Sequence, residues 1–257
     1  MANVLCIGGC HWDIRLIAHQ ALLAGESTPV TSKMSSGGAV SNVARALRSK
    51  GHRVEIASVV GNNPPEQSRL SKVIIGQESG RYITVETASG ELVHGLADLD
   101  IYDAMDAKWY KGLSQASEQF DAVVIDCNAQ PQALACFETS KPLYAVSVSP
   151  AKAGHFRGIL PRLDGLFLNQ SEAAVLGNSL QQAAKTLKTL GSNGAALLEY
   201  GQEISRWPAP VGRPAHVNGL GDRLTGLVLH GLIQGQAWHD AVTGGLNELF
   251  EAWELHE

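Results

Sequence analysis

A chain of 257 residues that is 44% hydrophobic and 18% charged can bury a full core and is too apolar to be disordered. Its 20 Lys and Arg against 25 Asp and Glu leave a net charge of −5 with no basic stripe, which excludes a nucleic-acid or anionic-membrane surface. A single domain over 1–257 with a small-molecule partner is the expectation.

The pattern alternates short apolar runs with segments of helical period, as βαβ units winding a mostly parallel sheet do. Val4 to Ile7 reads as a buried strand ending in Gly8-Gly9, and the run MANVLCIGGC enters it with no basic leader. No run reaches membrane-spanning length, so a cytoplasmic protein is expected. Val40, Val43, Ala44 and Leu47 recur at helical spacing, with Gly51 as the cap residue. Val54 to Val60 returns as strand. Ile83 to Leu96 breaks the pattern: ITVET and ELVHGL flank Ala88-Ser89-Gly90 and predict an antiparallel hairpin, a lid or dimer contact at about 81–97. Ala122 to Ile125, Leu143 to Val148, Gly165 to Leu168 and Ala195 to Leu198 lack alternation, as strands covered on both faces do. Helices are expected from Pro131, Ser171, Leu180, Asp222 and Ala237. Cys6, Cys10, Cys127 and Cys136 form no CxxC pair and read as reduced thiols; Cys6, Cys10 and His11 lack the second ligand pair of a zinc site.

Three stretches carry chemistry. In Asn218-Gly219-Leu220-Gly221-Asp222, paired glycines precede a helix whose first free N–H groups favour an anion such as phosphate. Asp222 falls in the first turn, where the helix dipole favours an ionised carboxylate that can accept a proton from a hydroxyl. A plain N-capping aspartate is the other reading. In Ser35 to Asn42, Gly37 and Gly38 offer bare backbone to a polar ligand and Asn42 an amide for its hydroxyls, although a helix-start turn explains the same residues. Asp13 follows the first strand, where open α/β sheets bind ligands, and a solvated loop carboxylate is its alternative.

GGAVSNVARALRSKG and NGLGD, in this order and spacing, resemble the two signature regions of the ribokinase-like (phosphofructokinase B type) carbohydrate kinases. Between them, Leu168-Asn169-Gln170-Ser171-Glu172-Ala173 resembles the family's magnesium–phosphate motif. The resemblance implies a three-layer α/β fold, a mostly parallel sheet flanked by helices, with a β-hairpin lid. It places Asp13, Gly37, Gly38 and Asn42 on substrate positions and Asn169 and Glu172 at magnesium and phosphate. Gly219, Leu220 and Gly221 match the anion hole, and Asp222 the catalytic base. It implies ATP and Mg2+ as cofactors, leaves open a monovalent cation such as K+, and suggests a homodimer through the lid.

Within the family, Gly95 to Tyr102, Val124 to Asn128 and Val146 to Ala153 are most similar to pseudouridine kinases. Pseudouridine is therefore the first substrate expected; a free sugar is an alternative, and so is a catalytically weak sugar- or nucleoside-binding protein. Three departures favour the last: Leu220 between the two glycines, Arg223 after the base, and a short stretch from Gly61 to Arg81. The region after Trp238 is also short, which puts adenine binding in doubt.

Overall fold

The computed structural model describes residues 1–209 and 219–254; Asn218 of the glycine motif lies outside them. In chain order, β1 (Asn3–Ile7), β2 (His11–Ala18) and β3 (Val30–Gly37) lead to α1 (Ala39–Ser49). β4 (Arg53–Ala57), the short β5 (Val59–Val60) and β6 (Lys72–Val73), β7 (Arg81–Glu86) and β8 (Leu92–Asp98) follow, then α2 (Ala107–Ser117) and β9 (Ala122–Asp126). Next come α3 (Pro131–Ala135), β10 (Leu143–Val146), α4 (Pro150–Ala153), β11 (Gly165–Asn169) and α5 (Gln170–Leu176). β12 (Lys185–Thr189), β13 (Ala195–Glu199), β14 (Gln202–Trp207), α6 (Leu220–Ile233) and α7 (Trp238–Glu254) complete the described chain.

The main sheet has the order β14-β13-β12-β11-β10-β9-β1-β4, parallel except for the pairs that β13 makes with β12 and β14. Alternation along β1 sends Leu5 and Ile7 into one core, with Tyr110, Phe137 and Phe156, and Val4 and Cys6 into another, with Val43, Leu47, Leu227 and Val228. Helices thus cover both faces, which is why the central strands read as unbroken apolar runs. Leu47 is fully buried, and its truncation to Ala would cost about 2–5 kcal/mol.

α1 follows its apolar spacing to Ser49 and is capped by Lys50, after which Gly51 takes φ +82°, a left-handed conformation that glycine adopts without steric cost. α6 lies close against it. A Cβ on Gly226 would stand 2.5 Å from the Cβ of Ala46 and 3.0 Å from the Val43 carbonyl, so this glycine sets the distance between the helices. One turn earlier on each helix stand Asp222 and Asn42.

The lid differs from the expected two-stranded hairpin. β7 and β8 pair as predicted, but β7 also pairs with β2 and β2 with β3, giving a four-stranded sheet in the order β3-β2-β7-β8. An isolated hairpin is marginal in water, and the two additional strands supply its support. The alternation in HWDIRLIA is broken by polar residues on a half-buried strand, so β2 was not legible and Asp13 lies on a strand rather than in a loop. The short Gly61–Arg81 stretch still ties in the lid: Trp12 Nε1 donates to the Asn63 carbonyl at 2.7 Å and Trp12 N to the Gly80 carbonyl at 2.9 Å.

Two further differences concern helices. Leu180 opens no α-helix, because Gly177–Gln182 is a single 3-10 stretch that leads into β12. α2, which carries Gly112 and few apolar residues, gave no clear period; it is held at its start by Asp106, whose side chain accepts from Trp109 N. Cys6, Cys10 and Cys127 are buried, Cys136 is partly buried, and all four are free.

Candidate active site

The glycine motif forms the head of α6. Gly219 is its N-cap with φ +78°, and no side chain caps the helix, so Asp222 is not an N-cap. Leu220 packs into the core formed with α1, and Arg223 is exposed, so neither side chain crowds the turn. Nothing lies within 4 Å of a Cβ placed on Gly221, which leaves room above the first N–H groups of the helix. This is the geometry of an anion site.

Asp222 Oδ2 accepts from Asn42 Nδ2 at 2.9 Å, and Arg45 donates to Asn42 Oδ1 at 3.0 Å, fixing the amide. Burial pushes the Asp222 carboxyl up to about 7; the Asn42 bond opposes the rise, while the charges of Asp126, Glu172 and Asp13 add to it. The expectation of a fully ionised carboxylate is corrected here, because desolvation outweighs the favourable helix end. A carboxylate titrating near neutrality is well matched to accepting a hydroxyl proton.

The second stretch is used differently from the expectation. A Cβ on Gly37 would stand 2.1 Å from Asp13 Cγ, and one on Gly38, whose φ is +105°, 2.1 Å from the Gly9 carbonyl. The bare backbone makes room for the Asp13 carboxylate and for the Gly8-Gly9 turn. Ser41 Oγ also donates to that Gly9 carbonyl at 3.1 Å.

Beneath the turn lies Asp126, within the Val124 to Asn128 stretch, to which sequence reasoning gave no site role. It is fully buried; it accepts from Gly9 N at 2.7 Å, Asn128 N at 2.9 Å and Asn128 Nδ2 at 2.9 Å, and Lys152 Nζ donates to Asn128 Oδ1 at 2.9 Å. Burial raises its pKa, and these bonds and the Lys152 charge oppose the rise. A carboxylate at the carboxyl end of a central strand was the signal that could have found it.

Asn169 and Glu172 form a capping box at the start of α5: Glu172 N donates to Asn169 Oδ1 at 2.9 Å, and Asn169 N to Glu172 Oε2 at 2.8 Å. Burial raises the Glu172 pKa, opposed by hydrogen bonds from Asn169 and Ser147. Beside them a groove of about 540 Å³ is lined by Gln170, Lys188, Asn193 and Arg206 among others, at the same end of the sheet. Another groove, of about 490 Å³, lies at the opposite ends of β1 and β4, near Asn3 and Arg53 and away from Asp222. Among the described residues, no group of three or more His, Cys, Asp or Glu is placed to hold a metal ion, and no helix is long and apolar enough to cross a membrane.

A large, mostly parallel sheet flanked by helices on both faces is the fold of the ribokinase-like carbohydrate kinases, and this chain has that fold. In sequence it is similar to the pseudouridine kinase of Escherichia coli (strain K12), 24% identical in an alignment of 253 positions that covers 86% of this chain and 80% of that protein. Among solved structures, a carbohydrate kinase from Agrobacterium tumefaciens superposes with a TM-score of 0.80 at 25% identity, covering 96% of this chain and 89% of its own. Ribokinase from Thermotoga maritima does so with a TM-score of 0.75 at 17% identity over 96% and 91%. The nucleoside kinase of Methanocaldococcus jannaschii gives 0.72 at 17% over 96% and 89%. No family model matches the chain.

Proposed function

We propose that this chain is an ATP-dependent kinase that phosphorylates a hydroxyl of a ribose-bearing nucleoside, with pseudouridine the first acceptor to test. The observation that carries the reading is Asp222, its carboxyl near neutrality, beside the open Gly221 at the head of α6. In this reading Asp13 and Asn42 bind and orient the acceptor, and Asp222 takes the hydroxyl proton. The amides of Gly219 to Gly221 face the phosphoryl group, so catalysis is positioning and charge stabilisation. Likeness to a named pseudouridine kinase supports the nucleoside class. The inward packing of Leu220 and the exposure of Arg223 remove two grounds for an inactive protein.

ATP with magnesium supplies the transferred group and neutralises its charge. Asn169 and Glu172, joined by the Asn169 N to Glu172 Oε2 hydrogen bond, are the residues that would face that complex. Lys188 and Arg206 line the groove where the nucleotide would lie.

The lid supports a homodimer. Residues paired across strands share a face, so Met34, Ile14, Ile83 and Leu96 form one apolar row, while Asp13, Ser35, Tyr82 and Ala97 share the other face. Met34 and Leu96 are 64% and 54% exposed, and a second copy would cover them without blocking Asp13.

The test is an assay of the purified protein with ATP-magnesium against pseudouridine, other nucleosides and free sugars, read as ADP release and product mass. Turnover with a nucleoside is expected. Absence of turnover with every acceptor would overturn the kinase, and turnover with free sugars alone would overturn the nucleoside class.

A further inference from the structure

His11 stands between Asp13 and Tyr102 and takes no part in the proposed chemistry. It is 8% exposed, on β2 two residues before Asp13, so both side chains emerge on one face of the lid. Its Nδ1 lies 2.9 Å from the Tyr102 hydroxyl, and its Nε2 lies 3.3 Å from Asp13 Oδ1. Tyr102, 3% exposed, sits in the 3-10 turn Asp100–Ala104 directly after the lid.

The direction of these contacts follows from the inventory of protons. The Tyr102 oxygen accepts from the Cys10 N–H, and burial holds the phenol well above its ordinary pKa, so it keeps its own proton and gives it to the acceptor lone pair of the imidazole. Nδ1 is then the acceptor and Nε2 carries the hydrogen, with Asp13 Oδ1 beside it at ion-pair distance. On the other side the carboxylate rests against the bare Cα of Gly37. Among the described residues, no side chain other than His11 is paired with Asp13.

We propose that His11 is a positioning residue for acceptor binding: held by Tyr102, it keeps its Nε2 beside Asp13 Oδ1, holds the carboxylate over Gly37 and leaves Oδ2 to accept a hydroxyl of the substrate. The inference rests on the reading of Asp13 as an acceptor ligand. An acceptor lacking a hydroxyl donor there would leave Oδ2 unpaired, so the His11–Asp13 pair also sets specificity.

The experiment compares His11→Phe, His11→Gln, Tyr102→Phe and Asp13→Asn in the whole protein, with pseudouridine as the probe, by calorimetric binding and steady-state kinetics. Gln extends an N–H to about the place of Nε2, and Phe keeps the shape without a donor. His11→Phe is expected to weaken acceptor binding by about 10- to 100-fold, the order of a polar interaction with a charged group, with kcat and the KM for ATP changed by less than about threefold. Gln should restore most of the affinity, Tyr102→Phe should fall between, and His11→Phe with Asp13→Asn should weaken binding no more than Asp13→Asn alone. If Asp13→Asn weakens binding and His11→Phe does not, this inference fails and the acceptor site stands. If Asp13→Asn leaves binding unchanged, the acceptor site itself is misread. Should His11→Phe fail to fold by circular dichroism, Tyr102→Phe decides: unchanged acceptor affinity overturns the proposal.

Discussion

Asn42 Nδ2 donates a hydrogen bond of 2.9 Å to Asp222 Oδ2, joining positions 180 residues apart through the close contact of α1 with α6 at Gly226. The two signature regions thus meet at one pair of atoms. The carboxylate they share titrates near neutrality because burial exceeds what the amide and the helix end return.

Asp222→Asn should keep the fold and acceptor binding while lowering turnover by about 10²–10⁴-fold. The wild-type rate should rise with pH through about 7, as the base loses its proton, and the variant's residual rate should lack that limb. Equal rates in the two proteins would remove Asp222 from the role of base.

Asn42→Ala deletes the one hydrogen bond that lowers the Asp222 pKa. The acid limb of the pH–rate profile should then move to higher pH, alongside weaker acceptor binding. A limb that stays in place would mean that Asn42 does not tune the base.

The same carboxyl makes folding stability depend on pH. Its pKa is about 7 folded against the ordinary 3.8, so between those values the folded state binds more protons than the unfolded state. Stability therefore falls as pH rises through that window, and Asp222→Asn should remove this loss. Melting temperatures measured between about pH 4 and about pH 8 should shift progressively in favour of the variant. A constant difference between the two proteins would contradict the buried carboxyl.

The neighbouring glycines should respond differently. Gly37→Ala meets first the carboxylate end of the Asp13 side chain and should weaken acceptor binding with the fold retained. Gly38→Val meets the Gly9 carbonyl at a φ of +105° and should prevent stable folding. Expression yield and circular dichroism separate the two, and a stable Gly38→Val protein would contradict the tight backbone approach.

Met34→Lys with Leu96→Lys should convert a wild-type dimer to monomers, because both charges fall on the exposed apolar row of the lid. Sedimentation at micromolar concentration measures this. A monomeric wild type would remove the dimer.

The sequence by itself determined the layers. Continuous apolar runs at β1, β9, β10, β11 and β13 reported burial on both faces, and the spacing of Val40, Val43, Ala44 and Leu47 reported α1, because these periods depend only on local geometry. It also marked Asp222, Asn42, Asp13 and the glycine pairs, since turn chemistry is written in neighbouring residues. Only the tertiary structure decided what these residues face. Gly37 makes room for Asp13, and Gly38 and Gly8 make room for Gly9 and Asp126, because the contacts come from strands and turns far apart in the chain. The lid gained β2 and β3 for the same reason: their polar residues became strand by pairing with neighbours rather than by local preference. The charge state of Asp222 was likewise decided by packing, since desolvation is a property of everything that surrounds a group and not of the turn that carries it.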